Sequence, residues 1–263
     1  MCCFSPVSRP LGFLGRLFPA RVHVSGTRIF ARLEGDRQWI VYSMELSAAG
    51  EVAMILPVPV PPGGGDEALG FTSLEGREGF FDALESLFAV PPPASRSLGF
   101  QAPPQAKARP RLKVHAVGAF AASYVPSPAD FDRLDPRFRL PRAVWEALGG
   151  YGDYGFSVFQ LQPGRKARVH PMAFRFLTRD PSRLFLPTVH VHDGRVRPEA
   201  AFDHDLFYQA AEGEAGDEGS LLLPGPDRDG IVAEGRPVRR RRLRGRLPNR
   251  DTWISPGSGR AAA

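Results

Sequence analysis

The architecture follows from one apolar run, Val52-Ala-Met-Ile-Leu-Pro-Val58. A short continuous apolar run bounded by turn residues is typical of a strand that is buried on both faces of its sheet. The run ends in residues 57–65, where prolines lack the amide donors that further sheet pairing would need. It therefore predicts a central strand, and the neighbouring segments should pair with it or pack against it.

Two runs before this strand, residues 22–33 and 38–46, are rich in β-branched and aromatic side chains and predict two more strands. Strand character returns at residues 112–125, 155–161, 168–178 and 184–192. Short helices are predicted at residues 77–88, where apolar side chains recur at helical spacing, and at residues 127–134 and 141–148. The predicted fold class is α+β, a mainly antiparallel sheet with a few short helices and Pro/Gly-rich connections.

Composition sets the domain organisation. The 263 residues include 28 Gly and 27 Pro, which favours short strands and tight turns. We predict one α+β domain over residues 1–210, or two halves (1–90 and 111–210) joined by the Pro-rich linker 91–110. Residues 211–263 are predicted to be an acidic loop followed by a basic, disordered tail.

The net charge of +6 is concentrated at the C-terminus. Residues 236–263 hold nine Arg against Asp251, a net +8, so residues 1–235 carry 6 − 8 = −2. The arginines at 236–250 predict non-specific binding of polyanions, or pairing with the acidic stretch 212–218. Arg outnumbers Lys by 31 to 3 and Asn249 is the single asparagine, a skew that indicates a GC-rich genome.

Cysteine usage and hydropathy indicate the compartment. Cys2 and Cys3 are the only cysteines, and neighbouring cysteines rarely bridge each other. A chain without a disulfide framework fits a reducing environment. No run approaches the ~20 apolar residues of a membrane span. We see no signal peptide, and the expected location is the cytoplasm.

Several short motifs occur in a distinctive order: Gly26-Thr-Arg-Ile-Phe30, Leu56-Pro-Val-Pro-Val-Pro61, a Tyr/Gly-rich segment at 151–155, and a His-Pro-x-x-Phe-x-Phe strand at 170–176. In this order they resemble an uncharacterised bacterial domain family of unknown function. The resemblance covers most of residues 1–192 and implies a fold of this kind. It implies no activity, because none of the motifs is catalytic.

Histidines in the second half form the main candidate site. His190 and His192 are two residues apart on a predicted strand, so both rings leave the same face. The residues that could complete a His/carboxylate set, the ligand type of zinc or non-haem iron, are Asp193, Asp203, His204 and Asp205. The cofactor expected from this interpretation is a divalent metal such as zinc.

A second interpretation of the same residues needs no metal. Asp193-Gly194 is a hairpin turn signal, and that register puts Arg195 and Arg197 opposite the histidines. Two guanidinium groups would repel a dication and favour an anionic small ligand. A solvated sheet edge with polar side chains outside explains the pattern as well.

The N-terminal cysteines are a further candidate. Removal of Met1 would leave Cys2 with its thiol and a free amine on one residue, the arrangement of N-terminal nucleophile hydrolases. Pro6 follows too soon for an extended inner strand, which argues against that mechanism. Alternatively, Cys2 and Cys3 could supply soft thiolate ligands to the histidine site.

These observations leave the activity open. The sequence lacks a Gly-x-Ser-x-Gly elbow, a phosphate-binding loop, His-Glu-x-x-His and Cys-x-x-Cys. The function predicted is a soluble binding or interaction module with a small-ligand or metal site built from the histidines. The alternatives are a metal-dependent hydrolase-type enzyme and an N-terminal amidohydrolase that uses Cys2.

Overall fold

The computed structural model describes residues 2–6, 22–48, 51–88, 115–117, 120–134, 149–161, 164–191, 196–210, 217–219 and 229–255. For residues 2–6, 115–117, 164–168 and 218–219 it describes the backbone alone. The predicted linker 91–110 and the predicted helix 141–148 lie outside these residues.

Strands dominate the described chain. In chain order they are β1 (Cys2–Pro6), β2 (His23–Glu34), β3 (Arg37–Ala48), β4 (Val52–Val58), β5 (Leu69–Thr72), β6 (His115–Val117), β7 (Phe120–Val125), β8 (Gly155–Leu161), β9 (Gly164–Arg168), β10 (Met172–Leu177), β11 (Leu184–Leu186), β12 (His190–Val191), β13 (Glu199–Gln209), β14 (Glu218–Gly219), β15 (Arg239–Pro248) and β16 (Thr252–Ile254). The helical elements are α1 (Phe80–Ser86) and two 3₁₀ turns, Asp66–Ala68 and Pro128–Arg133.

The strands form two large sheets and a small one. The first sheet has the order β12-β1-β4-β8-β7-β6. The second has the order β14-β15-β13-β2-β3-β10-β5, and β9 also pairs with β3. Most neighbours are antiparallel, but β1 pairs parallel with β12, and β2 pairs parallel with β13. Strands β11 and β16 form a separate antiparallel pair.

The predicted α+β class is wrong, because the fold is dominated by its sheets. Of the predicted helix at 77–88, only the seven residues of α1 are α-helical. The predicted helix at 127–134 is the 3₁₀ turn Pro128–Arg133. Proline fixes φ at the start of such a segment, but a short segment gains too few hydrogen bonds to offset helix nucleation.

The central strand is as predicted. Every residue of β4 is buried, and the strand lies between β1 and β8. One face, which includes Met54 and Leu56, packs into the main core between the two large sheets. The other face, which includes Ala53 and Ile55, packs under Phe131 and Val189. Burial on both faces explains why the run is continuously apolar.

The outer face of the second sheet is covered by α1 and residues 231–238. Phe80, Phe81 and Leu84 of α1 pack on Phe30 and Phe207 of the sheet. The buried guanidinium of Arg28 donates to Asp82 of α1 at 2.9 Å. A charged contact between sheet and helix thus supplements the apolar cover.

The predicted disordered tail is wrong for residues 236–255, which contain β15 of the second sheet and β16, the partner of β11 in the small sheet. Strand β15 pairs antiparallel with β13 along its whole length, from Arg239 opposite Tyr208 to Pro248 opposite Glu199. The sequence argument failed because arginine was taken as a sign of a solvated chain, whereas the acidic side chains of β13 lie beside it. The prediction of one domain or two halves remains untested.

Candidate functional site

Strand β12 brings His190 to the edge of the first sheet. The strand has two residues, and its Cα register places His190 beside Cys2 and Val191 beside Cys3 of β1. On its other side, the His190 backbone meets the side-chain amide of Asn249. His190 is half-buried, and Val191 is buried in the cluster under the first sheet.

Strand β13 brings His204 to the same place from the second sheet. Residues in alternate positions of this strand, Phe202, His204, Leu206 and Tyr208, are all buried. His204 shares this buried face of the strand with Phe202 and Leu206. His204 is 2% exposed, so its ring reaches the interior from the strand's core-facing side.

The two imidazole rings meet where the sheets approach each other. Nε2 of His190 lies 3.0 Å from Nε2 of His204. The rings stack with their centroids 4.8 Å apart, and the His190 ring also stacks on Phe202 at 4.6 Å. An aromatic ring beside the pair limits the access of water, so the two nitrogens face each other in a partly apolar setting.

This geometry restricts the protonation of the pair. A neutral imidazole has one donor and one acceptor nitrogen, and an imidazolium has two donors. A hydrogen bond between two Nε2 atoms therefore requires one proton between them, and two protons would repel. A metal ion can replace that proton. Tetrahedral zinc with Zn–N bonds of about 2.0–2.1 Å holds two nitrogens roughly 3.3 Å apart, close to the observed separation.

The backbone of β1 adds Cys2 to this neighbourhood. In a parallel pair, residues in register lie on adjacent strands about 4.8 Å apart. Cys2 is in register with His190, so a thiol-bearing residue is next to the histidine pair. The expectation that Pro6 excludes an inner strand is wrong. Pro6 is the last residue of β1, and β1 lies between β12 and β4.

Among the described residues, the structure does not bring the remaining predicted ligands together. His192, Asp193 and Arg195 lie outside them. Within the described ranges, no group of three or more His, Cys, Asp or Glu side chains is arranged to hold a metal ion. Arg197 is exposed. The predicted pairing of His190 with Arg197 stays a prediction, and the Asn249 amide donates to the carbonyls of both residues at 2.9 and 3.0 Å.

Sequence reasoning missed the residues that hold β12. Asn249 and Asp251 bind the backbone of residues 188–190, and Phe202 stacks on His190. The first two lie in the segment that was predicted to be disordered. A signal was present nonetheless, since Asn249 is the only asparagine in a chain whose composition disfavours that residue.

The arginines of β15 are matched by carboxylates. Arg244 makes a bidentate contact with Asp205 at 2.8 and 2.9 Å, and Arg246 contacts Glu199 at 2.9 Å. Arg241 makes a bidentate contact with Asp217 at 2.8 and 2.7 Å. The predicted pairing of this run with the acidic stretch is therefore confirmed at Asp217. The predicted binding of polyanions stays a prediction, and a polyanion would compete with these carboxylates.

Asp217 also organises the end of β13. Its carboxylate accepts a hydrogen bond from the Tyr208 hydroxyl. Burial raises the pKa of Tyr208, and the hydrogen bond to Asp217 raises it further because the neutral phenol is the donor. Tyr208 therefore stays protonated at neutral pH and acts here as a fixed donor.

The described surface offers few other binding features. Among the described residues, the large hydrophobic side chain that stands exposed is Val196. None of the helices in the described part of the chain has both the length and the apolar character needed to cross a bilayer.

No family model matches this sequence, and no curated protein matches it. Among solved structures it resembles baculovirus P35, at 12% identity and a TM-score of 0.47, over 97% of this chain and 99% of that chain. A mutated baculovirus P35 after caspase cleavage matches at 12% identity and a TM-score of 0.48, over 89% and 100% of the two chains. P35 in the caspase-8/P35 complex matches at 10% identity and a TM-score of 0.44, over 88% and 96%. A likeness of this degree defines neither a family nor an activity for the chain, and the resemblance to a bacterial domain family stays a prediction.

Proposed function

We propose that this protein is a binding module that holds a divalent metal ion such as Zn²⁺ between its two large sheets, at His190 and His204. The observation that carries the proposal is the 3.0 Å approach of the two Nε2 atoms. Two imidazole nitrogens at that separation have nearly the geometry that one tetrahedral ion requires.

The chemistry of the neighbourhood favours a metal ion over an organic anion. The groups that face each other are imidazole nitrogens, which suit zinc, and the adjacent strand carries Cys2, a residue type that also binds zinc. Arg195 and Arg197 were the predicted contacts for an anion. Arg197 is exposed, and its carbonyl oxygen accepts a hydrogen bond from the Asn249 amide.

The test is zinc binding by the purified full chain, followed by native mass spectrometry and isothermal titration calorimetry. We expect one Zn²⁺ per chain, and at least a tenfold loss of affinity in His190→Ala and in His204→Gln. The matched control is His170→Ala, since His170 contacts Glu78 and Phe120 and takes no part in the pair. Circular dichroism checks that each variant is folded.

Two results would contradict the proposal. One is a wild-type protein that binds no zinc at pH 7.5. The other is a folded His190→Ala variant that binds zinc as tightly as the wild type does. Either would leave the histidine pair as a hydrogen bond between the sheets.

A second candidate function rests on the register of Cys2 with His190. A histidine beside a cysteine can act as the base that generates a thiolate, which is the logic of cysteine nucleophiles. This extends the amidohydrolase alternative, in which loss of Met1 exposes the Cys2 amine. The measurement is the rate of alkylation of Cys2 by iodoacetamide, with Cys3 as the internal reference. We expect Cys2 to react faster than Cys3, and His190→Ala to remove the difference. Equal rates in the wild type would eliminate this mechanism.

A further inference from the structure

We propose that Asn249 and Asp251 are positioning residues of the His190–His204 site. Their side chains replace the strand that β12 lacks and thereby fix where the His190 ring lies. The inference rests on the proposed function for its metal-binding consequence, but the geometry of the pair can be tested without metal.

The Asn249 amide occupies the open side of β12. Its Oδ1 accepts the His190 N–H at 2.7 Å, and its Nδ2 donates to the His190 carbonyl at 2.9 Å. A neighbouring strand would offer the same donor and acceptor to a residue of an edge strand. Nδ2 also donates to the Arg197 carbonyl at 3.0 Å, so one amide joins the two segments that flank residues 192–195.

The Asp251 carboxylate holds the residues just before His190. Its Oδ1 accepts the backbone N–H groups of Thr188 and Val189 at 2.9 and 3.0 Å. Its Oδ2 accepts the hydroxyl of Tyr151 at 2.6 Å. Hydrogen bonds to a carboxylate are about twice as strong as those between neutral groups, so this contact fixes the approach to β12 firmly.

Together these bonds account for three consecutive backbone donors, those of residues 188, 189 and 190. The ladder of β12 with β1 spans only two residues, so pairing within the sheet contributes little to the position of His190. The ring position consequently depends on residues 249–251. That dependence is the physical basis for assigning them a role in the site.

The residue type at 249 is specific to this task. Only an amide of this length offers both an acceptor and a donor to one residue's backbone. Aspartate would place an oxygen against two carbonyl oxygens and would lose both hydrogen bonds that the amide donates. The single asparagine of the chain lies at this position.

The experiment compares Asn249→Ala and Asn249→Asp with the neighbouring control Arg250→Ala. The control removes an exposed side chain but keeps the carbonyl that accepts the Thr188 hydroxyl. The first readout is the set of nuclear Overhauser contacts between the ring protons of His190, Phe202 and His204 in the metal-free protein at one pH. In the wild type we expect contacts from the His190 ring to both neighbouring rings, because the ring centroids lie 4.6 and 4.8 Å apart.

We expect both Asn249 variants to weaken these ring contacts, because the His190 backbone is no longer held in place, and we expect Arg250→Ala to behave as the wild type. The second readout is zinc affinity, which should fall about tenfold in the Asn249 variants, in the range seen when support of metal ligands is removed. If the wild type binds no zinc, the proposed function fails and the ring contacts still test the positioning role.

The inference is overturned if the Asn249 variants retain the ring contacts of the wild type, even if they melt at lower temperature. In that case Asn249 only stabilises the fold. Should Asn249→Ala fail to fold, Asn249→Asp keeps the acceptor for the His190 N–H and has nearly the same shape, and it then decides the question.

Discussion

Strands β4 and β15 represent two ways of building a sheet in one molecule. All seven residues of β4 are buried and apolar, and the strand lies in the middle of its sheet. Strand β15 instead holds six arginines, four of them consecutive at 239–242, and Arg240 is the buried position of its ten residues. The register of β4 is set by apolar contacts on both faces, whereas that of β15 is set by charge pairs across to β13 and Asp217.

This difference predicts how β4 and β15 should each respond to salt and to substitution. Burial of apolar area depends little on salt, but exposed ion pairs are screened by it. Strand β4 should therefore contribute more to the free energy of unfolding than β15 does, and β15 should contribute mainly through its backbone pairing. Three substitutions, from the largest expected effect to the smallest, test that division.

Leu56→Ala in β4 should have the largest effect. Leu56 is fully buried in the main core, so its truncation loses transfer free energy and leaves a cavity. We expect the free energy of unfolding to fall by about 2–5 kcal/mol, measured by guanidinium chloride denaturation. Val196→Ala, at an exposed position, is the control and should be nearly neutral. A loss below 1 kcal/mol at Leu56 would mean that the core is not packed as described.

Asp217→Ala should have an intermediate effect. The Asp217 side chain is 4% exposed and accepts from both Arg241 and Tyr208. We expect a loss of about 1–3 kcal/mol and a lower Tyr208 pKa, because one cause that raises it is removed. Denaturation and ultraviolet titration of the tyrosines measure the two effects. Asp229→Ala, which breaks a more exposed pair with Arg77, is the control. An equal loss in the two variants would contradict the importance of burial.

Arg246→Ala should have the smallest effect. The Arg246 side chain is 78% exposed and its partner Glu199 is 53% exposed. Such a pair contributes under about 1 kcal/mol, and less at high salt. Thermal unfolding in 50 mM and 1 M NaCl measures both the effect and its salt dependence. A loss larger than that of Asp217→Ala would show that exposed ion pairs, rather than backbone pairing, hold β15.

The sequence was informative wherever a pattern is local. The apolar run of β4 and the β-branched runs of β2 and β3 each report the environment of a single strand, and each was interpreted correctly. Helix length was overestimated at residues 77–88, since periodicity shows an amphipathic face but not where tertiary contacts end the helix.

The features that the sequence did not reveal are contacts between residues that are distant along the chain. Arg244 meets Asp205 39 residues away, and Asn249 meets His190 59 residues away. Charge runs are usually solvated, so nothing within residues 236–250 indicated a strand. The approach of His190 to His204 was anticipated as a candidate site, whereas the support from Asn249 and Asp251 was visible only in the structure. Metal binding itself stays a prediction.

The parallel pairing of β2 with β13 has a consequence for the order of folding. The amide of Gly26, which lies in the left-handed region with φ of 55°, donates to Asp203, 177 residues further along the chain. During synthesis at about 5–20 residues per second, β2 and β3 emerge early and wait roughly ten seconds or more for that neighbour. A long-lived hairpin with an exposed edge is prone to wrong partners. The second sheet can be completed only after β13 leaves the ribosome. Because β2 and β13 are so far apart along the chain, we also expect refolding to be slow, as in other proteins dominated by non-local strand pairs.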